Sequence, residues 1–288
     1  MTALAAVSGR RRNVDRAMRG VLLAATIVAL IPLVLVIWYL LKRGLGAWSW
    51  KFFSTDPTGN FFGDQGGVRS ALLGTIEMVL IATVIAVPIG WGVGLYLVEY
   101  GRASRFAAVV RYFVDVMTGV PSIVFGLFIY VTLVLGGWGG TSFAGWKGSI
   151  ALALLMLPVV TRSAEVVLLL VPDSLREAAL ALGTPRWRMV LRVVLPTAIP
   201  GLVTGSLLAV ARAAGETAPL LFTATIVQGT TFNLSERMNS LPVQIYTDVG
   251  SPNDQLVQRA WGSALALVTL ILITTFIARL ASRRSRLS

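Results

Sequence analysis

Glu77, Arg212 and Glu216 are ionisable side chains that stand inside apolar stretches of the sequence. Holding such groups in hydrocarbon costs several kcal/mol, so they should face a bundle interior, a watery cavity or one another. Arg212 and Glu216 are four residues apart, which on a helix puts them on one face and within reach of each other. An arginine presents a planar fork of donors that fits a phosphate-like oxyanion, and Glu216 could orient that fork or accept a proton-bearing hydroxyl of a ligand. The same spacing also fits a neutralised pair that only fixes helix packing.

Other chemistry has few residues to work with. The chain contains no cysteine and no histidine, which removes disulfides, thiolate metal sites, the commonest metal ligand and the commonest acid/base near pH 7. No metal or cofactor is expected. An intramembrane enzyme acting on a phosphorylated lipid could use Arg212 to hold the phosphate, but Glu216 and Glu77 form no catalytic set and no nucleophile accompanies them. A phosphate-cradling Gly-x-x-x-x-Gly-Lys-[Ser/Thr] loop is absent too: Gly140 to Gly145 comes nearest, and Trp146 before Lys147 breaks it. ATP should bind elsewhere than on this chain.

The elements that must position these groups are membrane helices. Of 288 residues, 56% are hydrophobic and only 13% charged, where a soluble domain has about 25% charged, so the solvent of this chain is largely lipid. About 20 apolar residues cross a bilayer, and six stretches qualify: 21–41, 71–98, 113–135, 149–171, 198–227 and 260–281. Pro121 and Pro158 should mark bends or ends in the third and fourth. The first stretch is too long for a signal peptide, and Trp38, Tyr39, Lys42 and Arg43 at its end read as interfacial anchors. The spacings Gly90/Gly94 and Gly201/Gly205 read as close helix-packing sites.

The net charge of +12 is not spread as a nucleic-acid-binding face. It falls in short blocks: Arg10, Arg11, Arg12, Arg16 and Arg19; Arg102, Arg105 and Arg111; Arg176, Arg186, Arg188 and Arg192; Arg279, Arg283, Arg284 and Arg286. Lysine and arginine are retained on the cytoplasmic side, so both termini are expected there. The opposite loops, including 58–63 and 136–140, are rich in Gly, Asn, Pro and aromatics and suggest turns and short interfacial pieces. The expected organisation is a basic cytoplasmic tail (1–20), a transmembrane region (21–281) and a second basic tail (282–288).

One cytoplasmic loop, about 172–196, is more patterned than a connector requires. Pro172 suits a first helical position, Asp173 or Ser174 can cap, and a short helix follows from Leu175 to Leu182 that Gly183 can close in a left-handed conformation. A second short helix should start near Pro185, with Trp187, Val190, Leu191 and Val194 as its apolar face. Read alone, this is either an interfacial elbow without a partner or a docking element. Glu177-Ala178-Ala179, Gly183 and Leu195-Pro196 resemble the EAA loop of bacterial ABC importer permeases, the segment that docks into a cleft of the ATP-binding subunit. The resemblance implies that Glu177, Ala178, Ala179 and Gly183 are the docking residues.

The segment Ala211-Arg-Ala-Ala-Gly-Glu-Thr-Ala-Pro-Leu-Leu-Phe-Thr223 closely resembles the PstA family, permeases of high-affinity phosphate ABC importers, and Met238-Asn-Ser-Leu-Pro-Val-Gln-Ile-Tyr246 and Ala260-Trp-Gly262 are similar to it as well. The resemblance runs from about Ser70 to Leu280. It implies an all-α, six-span type I ABC importer permease in a bacterial inner membrane, not itself an enzyme. It also implies a PstC-like permease as heterodimer partner, two PstB-like ATPase subunits, a PstS-like protein delivering phosphate, and a substrate path at Arg212, Glu216 and Thr217. The EAA-like loop alone would equally suit a permease for sulfate, molybdate or phosphonate; the segment from Arg212 to Thr223 is what points to phosphate. A membrane scaffold that transports nothing would tolerate neutralisation of Arg212.

Overall fold

The computed structural model describes residues 9–60, 63–102, 104–137, 139–140 and 142–284. Phe61, Phe62 and Trp138 of the turn sequences, and positions 1–8 and 285–288 of the basic tails, lie outside the described residues. Among the described residues all regular structure is helical, apart from one isolated bridge between Pro57 and Gly66.

The first long helix, α1 (Gly9–Gly44), runs through the basic segment and the first apolar stretch without a break. A 3-10 turn (Leu45–Ala47) and the short α2 (Trp50–Ser54), capped by the Ser49 hydroxyl accepting from Phe52 N, precede α3 (Arg69–Leu95). A π turn (Tyr96–Tyr100) prolongs α3. The third crossing is α4 (Arg105–Gly119) and α5 (Ser122–Ile129), the latter prolonged by a π turn (Tyr130–Leu135). α6 (Gly145–Leu169), α7 (Asp173–Ala181) and α8 (Arg186–Met189) follow, and a third π turn (Val190–Val194) carries α8 directly into α9 (Leu195–Ala214). The last elements are the short α10 (Ala218–Thr223) and α11 (Leu241–Val249), then the long α12 (Asp254–Arg284).

Among the described residues five helices are long and apolar enough to span a bilayer, and the bent pair α4/α5, taken as one span, makes a sixth. Three expectations need correction. The third crossing begins at Arg105, not near residue 113, and turns by 102° at Val120–Pro121, because the ring of Pro121 pushes Val120 into an extended conformation. Pro158, in contrast, leaves α6 unbroken and is itself buried. The fifth crossing runs Arg186–Ala214, not 198–227: the second short helix of the patterned loop is its first turns, and the chain leaves it at Gly215.

Sequence spacing explains how the bundle closes. Over half of the apolar window of α6 is buried inside the chain, whereas none of that of α1 is. α6 lies between α3 and α9, and small residues let all three backbones approach. A Cβ on Gly90 would stand 2.6 Å from Val160 Cγ1, one on Gly94 2.8 Å from Ala164 Cβ, and one on Gly201 2.6 Å from Val167 Cγ1. Both expected packing sites are therefore used. Gly94→Leu is expected to lower stability by about 1–3 kcal/mol through overpacking. Gly92→Leu, at a position with nothing within 4 Å, should leave it unchanged, and thermal unfolding of the two purified variants in detergent checks the contrast.

Two cores result. Met78, Ala82, Ala86, Leu152, Met156, Val160, Ala209, Ala213 and Leu220 join α3, α6, α9 and α10. Val98, Leu168, Val171, Met189, Val190, Val194 and Ala198 join the end of α3 to the region around α7. This divides the expected apolar face of the patterned loop: Val190 and Val194 are buried, and Trp187 and Leu191 are more than half exposed.

Candidate substrate path and coupling elements

Arg212 occupies the last turn of α9, where a cation also complements the carbonyl end of the helix. Its neighbours Ala213 and Ala214 point into the core, which turns Arg212 outward. The helix stops at Gly215, whose N–H donates to Arg212 O, and Glu216 N donates to Ala213 O. Glu216 and Thr217 thus lie in a break between α9 and α10, not on a continuous helix face, which corrects the one-helix reading of the pair. Arg212 still reaches Glu216: Nε stands 3.4 Å from Oε1, with the Arg212 side chain 52% exposed and that of Glu216 17%. The two terminal nitrogens of Arg212 make no hydrogen bond among the described residues.

The far side of the break is held firmly. Pro219 sits against Gly126 of α5 so closely that a Cβ on Gly126 would lie 2.6 Å from Pro219 Cα. Leu220 and Thr223 are buried, and Ala144 N donates to Thr223 O at 2.9 Å. Thr217, half-buried, caps α10 without a side-chain bond of its own. Glu77 is half-buried and makes no ion pair among the described residues, and the structure does not join it to Arg212 or Glu216. The site therefore comprises an outward guanidinium fork, a carboxylate at its inner nitrogen and an immobilised short helix beyond.

At the other end of the bundle, Asp173 is the first residue of α7, with Pro172 in the cap position instead of inside the helix. Glu177 and Ala178 are exposed, Ala179 is half-buried against the second core, and Leu182 is 86% exposed. Gly183 ends the helix at φ +77° with nothing near its missing Cβ, so the left-handed closure read from the sequence is present.

What holds α7 was not read from the sequence. Arg176, 8% exposed, donates from Nε and Nη2 to Glu99 Oε1 at 3.0 and 2.9 Å, and also to Leu168 O and Val171 O. Arg102 and Arg176 share Asp173 Oδ1, and Arg186 donates to Glu99 O while stacking on Tyr100. α7 is thus tied to the ends of both α3 and α6. A second cluster was also missed: Arg162 and Glu165, three apart on α6, with Arg111 and Asp115 of α4. Their i,i+3 spacing inside an apolar stretch was the available signal. Lys147 is wholly buried with Nζ donating to the carbonyls of Leu133, Gly140 and Ser142. Asp248 receives both Nε and Nη2 of Arg259 and Nε2 of Gln244, pinning α11 to α12.

A six-crossing helical bundle with a small helix pair at one end and an interrupted fifth crossing is the architecture of a type I ABC importer permease. Residues 86–287 match the family described as binding-protein-dependent transport system inner membrane component, and with its several apolar helices the chain is a multi-pass membrane protein. A bacterial alginate ABC transporter chain is similar at a TM-score of 0.66 and 15% identity, covering 94% of this chain and 96% of that one. A chain of the MetNI methionine ABC transporter is similar at 0.55 and 22% identity, covering 76% and 93%. Among curated proteins, the phosphate transport system permease protein PstA of Yersinia pestis is 41% identical over 93% of this chain and 90% of its own length. PstA of Haemophilus influenzae is 41% identical over 91% of each, and PstA 1 of Mycobacterium tuberculosis 41% identical over 96% and 92%. The chain belongs to the PstA family of ABC permeases.

Proposed function

We propose that this chain is the transmembrane permease subunit of an ATP-driven phosphate importer, forming half of the translocation path with the break at Arg212–Thr217 as its anion-handling element. The observation that carries the site assignment is the Arg212 fork, held at one nitrogen by Glu216 and free at the other two. A phosphate oxygen pair can take those two donors while Glu216 accepts from a phosphate hydroxyl. Thr217 adds a hydroxyl at the same break. A PstC-like permease would supply the other half of the path, two PstB-like subunits the ATP hydrolysis, and a PstS-like protein the phosphate. Both termini and α7 then face the cytoplasm.

Coupling follows from how α7 is attached. Exposed Glu177, Ala178 and Gly183 present a small-residue surface to a cleft of the ATPase, and Ala179 packs inward on the second core. Motion of the docked helix passes through Arg176–Glu99 to α3 and through Leu168 and Val171 to α6, as rigid-body rocking. Gly183→Pro is expected to abolish uptake at matched expression. Proline cannot adopt φ +77°, and it removes the N–H that bonds Leu180 O at 2.9 Å. Unimpaired uptake and ATPase assembly in that variant would refute the docking assignment.

The substrate is tested by radiolabelled phosphate uptake in cells lacking the permease, restored with this chain and challenged with excess sulfate. Restored uptake that sulfate leaves unchanged supports phosphate. Uptake of labelled sulfate instead would keep the permease and overturn its substrate.

A further inference from the structure

At the end of the bundle opposite α7, α1 and α12 meet at Gly44, where a Cβ would stand 2.8 Å from Leu265 Cβ and 2.9 Å from Trp261 O. A cleft of about 710 Å³ opens between them, lined by Tyr39, Lys42, Arg43, Asp254, Gln258 and Trp261. Its charges are arranged unusually. Lys42 and Arg43 are exposed and make no ion pair or hydrogen bond among the described residues, and neither does the Asp254 side chain on the facing wall. The Arg43 guanidinium lies 5.5 Å over the Tyr39 ring, and Tyr39 meets Trp261 edge-on at 5.0 Å, so aromatic faces floor the cleft and hold one cation at its mouth.

The charges on its two walls indicate what fits it. None of the apolar window of α1 is buried inside the chain, and Val34, Leu35 and Trp38 below the cleft are each more than half exposed. A chain of apolar side chains leads from bilayer depth to two unneutralised cations and a separate carboxylate at the rim. An inorganic phosphate would engage the cations and leave Asp254 facing an anion. A headgroup that carries a phosphate and, a few bonds away, a primary ammonium satisfies both walls while its acyl chains lie along α1.

We infer that the α1–α12 cleft is a binding site for an aminophospholipid of the leaflet opposite α7, with Lys42 and Arg43 taking the phosphate and Asp254 the ammonium. The test uses the full chain purified in mild detergent with its co-assembling subunits, exchanged with dioleoyl phosphatidylethanolamine or dioleoyl phosphatidylglycerol and read by native mass spectrometry. Phosphatidylethanolamine should be retained in preference to phosphatidylglycerol, and Lys42→Gln/Arg43→Gln should lower its retention at least about tenfold. Asp254→Asn should erase the preference between the two lipids while keeping both bound, a readout that a merely destabilised cleft would not give. Millimolar inorganic phosphate should displace neither. Retention unchanged in the double variant, as expected if a partner subunit covers the cleft, overturns the site, and displacement by inorganic phosphate overturns the lipid as its ligand.

Discussion

Arg212→Ala is expected to reduce phosphate uptake by about two to four orders of magnitude at unchanged membrane abundance. A hydrogen bond to a charged group is worth about 1.5–3 kcal/mol, so losing the two donors offered by the free end of the fork removes about 3–6 kcal/mol from the bound state of the anion. The fold should survive. Arg212 is half exposed and touches Glu216 through one nitrogen at 3.4 Å, a contact whose loss costs under about 1 kcal/mol. Arg212→Lys keeps the charge and discards the planar fork, and its uptake should fall between wild type and the alanine variant. Radiolabelled uptake with quantified membrane protein decides the matter: an alanine variant that transports at the wild-type rate makes Arg212 a structural residue.

Arg176→Met is expected to be the most destabilising of the substitutions considered, by about 3–5 kcal/mol, because it strands the Glu99 carboxylate, only 3% exposed, without its counter-ion. Leu168 O and Val171 O lose a donor in the same step. Glu99→Leu combined with Arg176→Met should recover most of the thermal stability, since replacing both members of a buried pair is far cheaper than breaking it. Uptake should not recover with it, because the strut between α7 and α3 is gone. Thermal unfolding in detergent paired with uptake separates the two effects. A single variant that unfolds at the wild-type temperature would mean the pair does not anchor α7.

Much of this architecture was legible in the sequence because lipid imposes one rule on every crossing: the backbone must bond to itself over about 20 apolar residues. The close packing at Gly90, Gly94 and Gly201 and the left-handed Gly183 were legible for a similar reason, since only glycine meets those local demands. The break after Ala214 was not. Gly215 and Pro219 were visible, but the apolar run continues through Leu220, Leu221 and Phe222, and hydropathy cannot tell a continuous helix from two pieces. The merger of the second loop helix with α9 was missed because Pro185 and Pro196 suggested boundaries, and both are tolerated at helix starts or within a π-interrupted crossing. Glu99 and Arg176 lie 77 residues apart, and no local pattern pairs them. Arg212 was found by its polarity alone; its orientation depends on the buried faces of Ala213 and Ala214.

α1 rests mainly on α12, and the rest of the bundle closes without it. It satisfies its own backbone bonds and is apolar enough to cross alone, so during synthesis it can settle in the bilayer before its neighbours exist. Within this chain, taking it away would leave the two cores around α6 intact and uncover mainly α12. Away from the cleft at its end, its side chains are therefore answerable to length and apolarity, not to fit. Inside this chain the demand for precise packing begins at α3, and the outer face of the first crossing is left to whatever surrounds the subunit.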